Sequence, residues 1–507
     1  MILIHPPVAK PGEPPAGIAR LSGALSAHNF IHTVLDANLE GLLYLLQSPR
    51  PESAEDVWSK RAYRNAGRNL SLIRDPDTYR SLARYTRVVT DLGRVLEKSS
   101  GRSGAHVGLA NFQHELLSPL RSRDLIAVAE QPELNVFYPY FSRRLESIIH
   151  HEQTQVIGFS MNYLSQAINT FAMIGFVRKK FPGLKIIVGG GLSTSWLRTP
   201  LWQNPFTGLV DHFVAGPGEM RLFEILGIEP KEMISLPDYQ TMPLHDYFSP
   251  GFILPYSAAA GCFWNRCNFC PEKAEGNPYI PIPHDRVIAD LEILAVQTAP
   301  VLIHLLDNAV APALMGALIE KGPHLPWYGF ARVSSHLADP DFCMALKQSG
   351  CIMLKLGLES GDQQVLDRME KGIMVDMASR VMKNLKRAGI ASYVYLIFGT
   401  PAENLHSARM TLEFVSKHRQ YIDFLNLAIF NMPACGAGSS DFETKRFYDG
   451  DLSLYTDFLH PHGWDRKQVR HFLEDEFRKN PAVSLILKND PTVFTSNHAP
   501  LFVKARS

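Results

Sequence analysis

Short apolar runs separated by helical stretches recur along the chain in two series, and this alternation restricts the fold more than any other feature. In the first series the runs are MILIHPP, HTVLDA, TQVIGFSMNY, KIIVGGG and DHFVAGPGE. In the second they are ILPYSAAAG, VLIHLLDN, PWYGFARV, CIMLKLGLES, ASYVYLIFGTP and FLNLAIFNMP, with helical stretches such as DMASRVMKNLKRAG between them. Continuous β-branched runs suit strands covered on both faces, and strands that alternate with helices make parallel sheets. The expected fold is therefore α/β. A doubly wound, Rossmann-like domain spans residues 1–235, a partial (β/α)6 barrel spans 236–440, and a segment of mixed helix and coil spans 441–507.

The alternation is interrupted between about residues 45 and 150. VWSKRAYRNAGRNLSLI and YRSLARYTRVVTDLGRVLEK carry apolar residues three and four apart, the spacing of an amphipathic helix. This stretch reads as a helical insertion in the first domain. Its Tyr63, Arg64, Tyr79, Arg80 and Tyr85 are candidates for a ligand-facing surface as well as for ordinary packing. LPDYQTMPLHDYFSPG, rich in Pro, Tyr and Asp, reads as a linker. Doubly wound sheets and barrels bind ligands at the carboxyl ends of their strands. Chemistry is expected at the GGG and GPGE turns and in the loops after the barrel strands.

Composition narrows the classes of function. With 51 Lys and Arg against 50 Asp and Glu, the 507-residue chain has no net field that would attract nucleic acid or an anionic membrane. The opening MILIHPPVAKPGEPP lacks the features of a secretory signal, and no apolar run reaches the about 18 residues of a membrane helix. A cytoplasmic location without a membrane span is expected. Six cysteines are too few for a disulfide scaffold. Three of them, Cys262, Cys267 and Cys270, nonetheless share one short stretch, AAAGCFWNRCNFCPEKAEG.

Three thiolates on a loop after a barrel strand suit a soft metal centre, and three kinds are open. A structural zinc would need a fourth ligand such as His284. A purely electron-transferring iron–sulfur centre would need a fourth cysteine. A four-iron cluster held by three cysteines would leave one iron free to bind a ligand. Of the other cysteines, Cys343 and Cys351 read as small buried hydrophobes. Cys435, in FNMPACGAG after the sixth strand, reads as turn packing, with a catalytic or substrate-binding thiol as the sharper alternative.

The cysteine stretch, with Phe269 just before its last cysteine and Pro271-Glu272 after it, resembles the cluster loop of the radical S-adenosylmethionine (SAM) superfamily. Its first gap, FWNR, is one residue longer than the family's usual three. Further segments resemble the family in order over roughly residues 250–435: LLDNAVAP its second-strand motif, GFARV the end of its third strand, KLGLESGDQQVLDRMEKG its fourth-strand signature, and YLIFGTPAEN the segment that passes the adenine. The resemblance implies that Cys262, Cys267 and Cys270 hold a [4Fe–4S] cluster and that Phe269, Asp307, Asn308, Arg332, Glu359, Ser360, Gly399 and Thr400 surround SAM. It also implies cleavage of SAM to a 5′-deoxyadenosyl radical, driven by an external flavodoxin- or ferredoxin-type reductant.

IHPP followed by AGIARLSGAL, VIGFSMNY, IIVGGG and VAGPGE resembles the cobalamin-binding domain that precedes the barrel in one class of these enzymes, many of them methyltransferases. This implies a cobalamin pocket lined by Pro6, Pro7, Ser160, Asn162, Gly189, Gly190, Gly218 and Glu219. DANLEG, residues 36–41, is similar to the Asp-x-His-x-x-Gly loop of B12 enzymes. Asn38 stands where the ligating histidine would be, so no histidine ligation from this loop is expected. The overall expectation is a radical SAM methyltransferase with an N-terminal B12-binding-type domain, acting on a small-molecule or peptide substrate. The alternatives are a cobalamin-independent catalyst of rearrangement, cyclisation or sulfur insertion, and a metal-stabilised scaffold on a relict enzyme fold.

Overall fold

The computed structural model describes residues 1–52, 54–101, 104–200, 202–230, 234–435, 442–446, 449–492 and 498–503. The first unit runs through β1 (Ile2–His5), α1 (Ala16–Ala27), β2 (Thr33–Asp36), α2 (Ala37–Gln47), α3 (Val57–Ile73), α4 (Pro76–Tyr79) and α5 (Leu82–Ser100). It continues with β3 (Ala105–Val107), β4 (Phe112–His114), α6 (Ser122–Glu130), α7 (Tyr138–Glu152), β5 (Val156–Ser160), α8 (Leu164–Lys180), β6 (Lys185–Gly189), α9 (Gly191–Arg198), β7 (His212–Phe213) and α10 (Glu219–Leu226). Five strands pair in parallel in the order β2-β1-β5-β6-β7. The order reverses beside β1, which puts a ligand-binding type of crevice at the carboxyl ends of β1 and β5. Ile2, Ile4, Ile157, Ile186 and Val188 are fully buried on one face and Leu3 and Ile187 are buried on the other, so both faces of the sheet are covered and the runs show no polar alternation.

Helices α2 to α7 stand between β2 and β5, and α3 and α5 pack together along their apolar stripes. The antiparallel β3-β4 hairpin within this segment departs from the expected all-helical insertion. Strands of three residues are too short for a period-two pattern to declare itself. Tyr79 and Tyr85 are buried with ring centroids 5.3 Å apart, and the Tyr63 hydroxyl bonds to Ser99, so these side chains serve packing. Arg80 is exposed and pairs with Asp77.

The second unit comprises β8 (Ile253–Tyr256), β9 (Ala259–Ala260), α11 (Pro271–Ala274), β10 (Ile280–Pro281), α12 (His284–Thr298), β11 (Leu302–Leu305), α13 (Pro312–Lys321) and β12 (Trp327–Ala331). After these come α14 (Pro340–Gln348), β13 (Cys351–Glu359), α15 (Gln363–Arg368), α16 (Val375–Ala388), β14 (Ala391–Phe398), α17 (Leu405–His418) and β15 (Phe424–Ile429). Six strands pair in parallel in the order β8-β11-β12-β13-β14-β15, with β8 and β15 left as edges, which is a partial barrel. Cys343 and Cys351 are fully buried in it, and burial raises both thiols.

The chain then forms β16 (Met432–Pro433), β17 (Thr444–Arg446), β18 (Tyr455–Phe458), α18 (Arg466–Phe472), a π-helical turn at Leu473–Phe477, α19 (Pro481–Leu487) and a 3-10 turn at Ala499–Phe502. The antiparallel sheet β16-β18-β17 corrects the expectation of helix and coil alone. Its strands are short, with β16 buried and β18 only partly covered, so they carry no apolar alternation.

Residues 236–250 have no regular structure, as expected of a linker, yet Tyr239, Tyr247 and Phe248 are at most 2% exposed. The Tyr247 hydroxyl donates to Asp36 at 2.7 Å, and the Phe248 amide donates to the Pro11 carbonyl at 2.8 Å. Among the described residues no helix is long and apolar enough to cross a membrane.

Candidate active site at the barrel mouth

The cysteine loop is pinched at its base by the β9-β10 pair, Ala260 opposite Ile280. Gly261 sits at positive φ, and a Cβ there would lie 2.3 Å from the Pro278 carbonyl oxygen, so glycine is required at the pinch. The long first gap is taken up by Trp264. Its ring lies on Gly372, where an added Cβ would meet it at 2.1 Å, and its Nε1 donates to the Glu370 carbonyl at 3.1 Å. Asn268 closes the other side of the loop, donating from Nδ2 to the Arg368 carbonyl at 2.7 Å. The turn after α15, residues 368–372, thus forms the bed on which the cysteine loop rests.

Arg332 ties the two together. Its guanidinium stacks on Trp264 at 4.1 Å, bonds to the Lys371 carbonyl, and brings Nη1 to 3.9 Å from Cys267 Sγ. Lys371 pairs with Glu359 at 2.7 Å and lies 5.7 Å from the centre of the Phe269 ring. Gly357 makes room for that pair, since a Cβ there would sit 2.6 Å from Glu359 Oε1. Burial raises the Cys267 thiol, opposed by the Lys371 and Arg332 charges. Burial also raises Cys270, opposed by the backbone near Glu272 and Lys273. Cys262, Cys267, Cys270, Phe269, Arg332 and Glu359 therefore gather on one end of the barrel. Trp264 and Lys371 belong with them; Trp264 lies within the cysteine loop, whereas Lys371 reaches it only through the fold.

The other expected SAM contacts divide. Asp307 is buried, accepts from the Ala258 amide at 3.1 Å, and is pushed up to about 6 by burial, so it buttresses the approach to the loop. Asn308 beside it is exposed. Ser360 turns away from the mouth: it is fully buried, with Oγ 3.1 Å from Thr411 Oγ1 and accepting from the Asp362 amide. Thr400 is buried as well, and its carbonyl faces His460 Nε2 at 2.8 Å. Gly399 has φ +80°, and its close neighbour is Val469 of α18. It also borders a cleft of about 410 Å³ shared with Ile429, Phe430 and Asn431 at the end of β15. Cys435 is half-buried, and burial and the nearby Glu275 carboxylate raise its thiol; residues 436–441 lie outside the described ones.

In the first unit, Ser160, Asn162, Gly189 and Gly190 lie together at the ends of β5 and β6. Asn162 Nδ2 donates to Ser160, and its Oδ1 accepts from the Gly191 amide at 3.0 Å. Pro6 and Pro7 are buried, and the Pro6 carbonyl accepts from Gln166 at 2.7 Å. Gly218 and Glu219 stand apart at the end of β7, with Glu219 paired to Arg20 at 2.6 Å. DANLEG forms the start of α2: Asp36 caps it, and Asn38 Oδ1 accepts from the Ala9 amide at 2.8 Å. The edge faces the barrel, because Ser195 of α9 donates to Glu275 beside the cysteine loop at 2.6 Å.

Among the described residues no three His, Cys, Asp or Glu side chains converge as the shell of a single metal ion. A four-iron cluster asks for a different arrangement, since each thiolate binds its own iron and the sulfurs stand apart. Three cysteines on one pinched loop, with cations facing Cys267, fit that donor set.

Residues 256–415 match the family model of the Radical SAM superfamily. An uncharacterized methyltransferase of Pyrococcus horikoshii is 25% identical over 200 residues, 38% of this chain and 42% of that protein. A probable threonylcarbamoyladenosine tRNA methylthiotransferase of Methanocaldococcus jannaschii is 26% identical over 182 residues, 33% of this chain and 42% of that one. The chain thus spans about two fifths of the length of these curated relatives. The radical SAM methyltransferase TsrM of Kitasatospora setae, solved with cobalamin and a [4Fe–4S] cluster bound, superposes with a TM-score of 0.53 at 15% identity, covering 89% of this chain and 81% of that one. This likeness extends the shared fold across both units. Residues 256–415, the barrel, are thus a radical SAM domain.

Proposed function

We propose that the chain is a cobalamin-dependent radical SAM methyltransferase that modifies an unactivated carbon. The observation that carries this reading is the pinched three-cysteine loop at the mouth of a radical SAM barrel, faced by the strand ends of a first unit that shares its fold with a cobalamin-binding enzyme. When bound, the cluster and SAM supply one-electron cleavage of the S–C5′ bond and hydrogen-atom abstraction, and cobalamin supplies a transferable methyl group. Cys262, Cys267 and Cys270 would hold three irons. Arg332 and Lys371 offset the thiolate charge and fix the loop on its bed. Phe269, Asn308, Glu359 and Gly399 line the side where SAM would lie, and Asp307 supports the backbone beneath it. Ser160, Asn162, Gly189 and Gly190 form the edge available to cobalamin. The electron would come from a flavodoxin- or ferredoxin-type partner, in keeping with a cytoplasmic location.

One observation favours a second reading, a radical SAM catalyst without cobalamin. Several groups on the first unit's edge are already satisfied within the protein, including Glu219 by Arg20 and Asn162 by Ser160 and Gly191. The test is iron and cobalt content on protein reconstituted without oxygen, with the EPR spectrum of the reduced cluster before and after SAM. A four-iron signal that shifts with SAM, together with stoichiometric cobalt, is the expected result. A shift without cobalt selects the second reading. A loop that binds zinc or no metal overturns both and leaves a scaffold protein.

A further inference from the structure

The barrel strands turn one face to the helices and the other inward. On the outer face Leu354, Leu356, Leu358, Val394, Leu396 and Phe398 are at most 1% exposed. The inner face has two levels. Lower down, Leu302, Tyr328, Met353, Tyr393 and Phe424 are buried and pack with Ala499. Higher up, Phe330, Gly357, Tyr395, Asn426 and Ala428 are partly open, and the register keeps them on that same face. The interior is therefore a recess that runs down from the cysteine loop and ends on a floor.

Lys355 and His304 lie at that floor, 3% and 8% exposed. Glu13, from the loop after β1 of the first unit, takes His304 Nδ1 at 2.9 and 3.0 Å from its two oxygens. Burial pushes the His304 imidazole down to about 4, so the ring is neutral near pH 7. With Nδ1 donating to Glu13, Nε2 is an acceptor facing Lys355 Nζ at 3.4 Å. The ammonium has three N–H donors, and this long contact is its one hydrogen bond among the described residues, while the Glu13 carboxylate and the Lys10 ammonium act on it through space. Otherwise it faces the rings of Tyr328 and Phe330, each 4.9 Å away. Burial lowers Lys355 to about 7, and Glu13, which also serves His304 and Lys10, offsets this only in part, so a further anion here would hold the lysine charged.

Taking the barrel as the reaction chamber proposed above, we infer that Lys355 anchors a carboxylate of the substrate on the floor of the recess, with the substrate's apolar or aromatic body along Phe330 and Tyr395. Glu13 and His304 are positioning residues: they hold the ammonium from one side and leave its remaining donors to the ligand. The substrate class is a carboxylic acid whose reacting carbon stands between that floor and the cysteine loop.

The test uses the full chain, cluster-reconstituted and with SAM added, titrated calorimetrically with 3-phenylpropionate and its uncharged isostere 3-phenylpropionamide. The expected result is acid binding at least about tenfold tighter than the amide, the scale of one charge-assisted contact, with the preference lost in Lys355→Met. Equal binding of acid and amide to the wild-type chain, or a preference that survives Lys355→Met, overturns the anchor. The wild-type ratio decides the matter if the variant does not fold. EPR on the same sample separates this inference from the broader one: a SAM-dependent shift without acid preference overturns only the anchor, and acid preference without the shift overturns only the SAM chemistry.

Discussion

The first unit's sheet and the barrel sheet obey the same rule, parallel strands joined by helices, and yet leave different surfaces free. In the first, Ile4, Ile157 and Val188 are sealed on one face and Leu3 and Ile187 on the other, which leaves the strand ends for a ligand. In the second, curvature turns one face inward, and Phe330, Gly357, Tyr395 and Asn426 stay accessible along the strands. A flat covered sheet offers an edge, whereas a curled one offers an edge and a wall. This is why polar side chains appear mid-strand in the barrel, at His304 and Lys355.

That contrast can be broken by mutation. The largest effect is expected at the barrel's edge, where Cys267→Ala should reduce bound iron to background and abolish SAM cleavage, measured as 5′-deoxyadenosine released; retained four-iron content would remove Cys267 from the ligand set. Next comes the sealed face. Leu356→Ala, 1% exposed on the outer side of β13, should cost about 2–5 kcal/mol in denaturant unfolding, whereas Asn426→Ala on the inner wall should cost under about 1 kcal/mol. Similar costs would mean that the inner wall is packed as tightly as the outer. Lys371→Met leaves Glu359 without its partner and should cost about 3 kcal/mol, and it should also weaken the SAM-induced EPR shift.

A smaller, pH-dependent effect is expected at the end of β14. Glu403 is buried with no hydrogen-bond partner for Oε1, and burial pushes it up to about 7 from 4.5. Between those values the folded chain binds a proton that the unfolded chain has released, so stability falls as pH rises from 4.5 to 7, by about 3 kcal/mol at most. Glu403→Gln should flatten that slope in urea titrations across the range. The smallest effect belongs to exposed Asn308: Asn308→Ala should leave stability within about 0.5 kcal/mol. A raised KM for SAM with unchanged stability would then assign it to the cofactor.

The fold class was legible because apolar runs of strand length followed by helical periodicity are a local signal, repeated often enough to define two sheets. The cysteine loop, Arg332 and Glu359 were legible because motif spacing ties them to strand ends. Ser360 shows the limit: one residue beyond Glu359, it turns into the helix packing beside Thr411, and adjacency in a motif says nothing about which way a side chain points. Lys371 and Trp264 escaped notice because their importance comes from meeting across the fold, 39 and 68 residues from Arg332 along the chain. The Glu13–His304 contact joins residues 291 apart and has no sequence pattern at all. The β18 strand lacks alternation because all four of its residues are only partly covered.

The stretch between the two units has a consequence for cooperativity. Its backbone lies so close on α1 that a Cβ at Gly23 would meet the Leu236 carbonyl oxygen at 1.9 Å, and its aromatic side chains are shared by both units. A hinge needs a segment that can bend without losing contacts, and this one cannot. The two units are thus expected to melt as a single transition, so that damage to either is felt at once by the other.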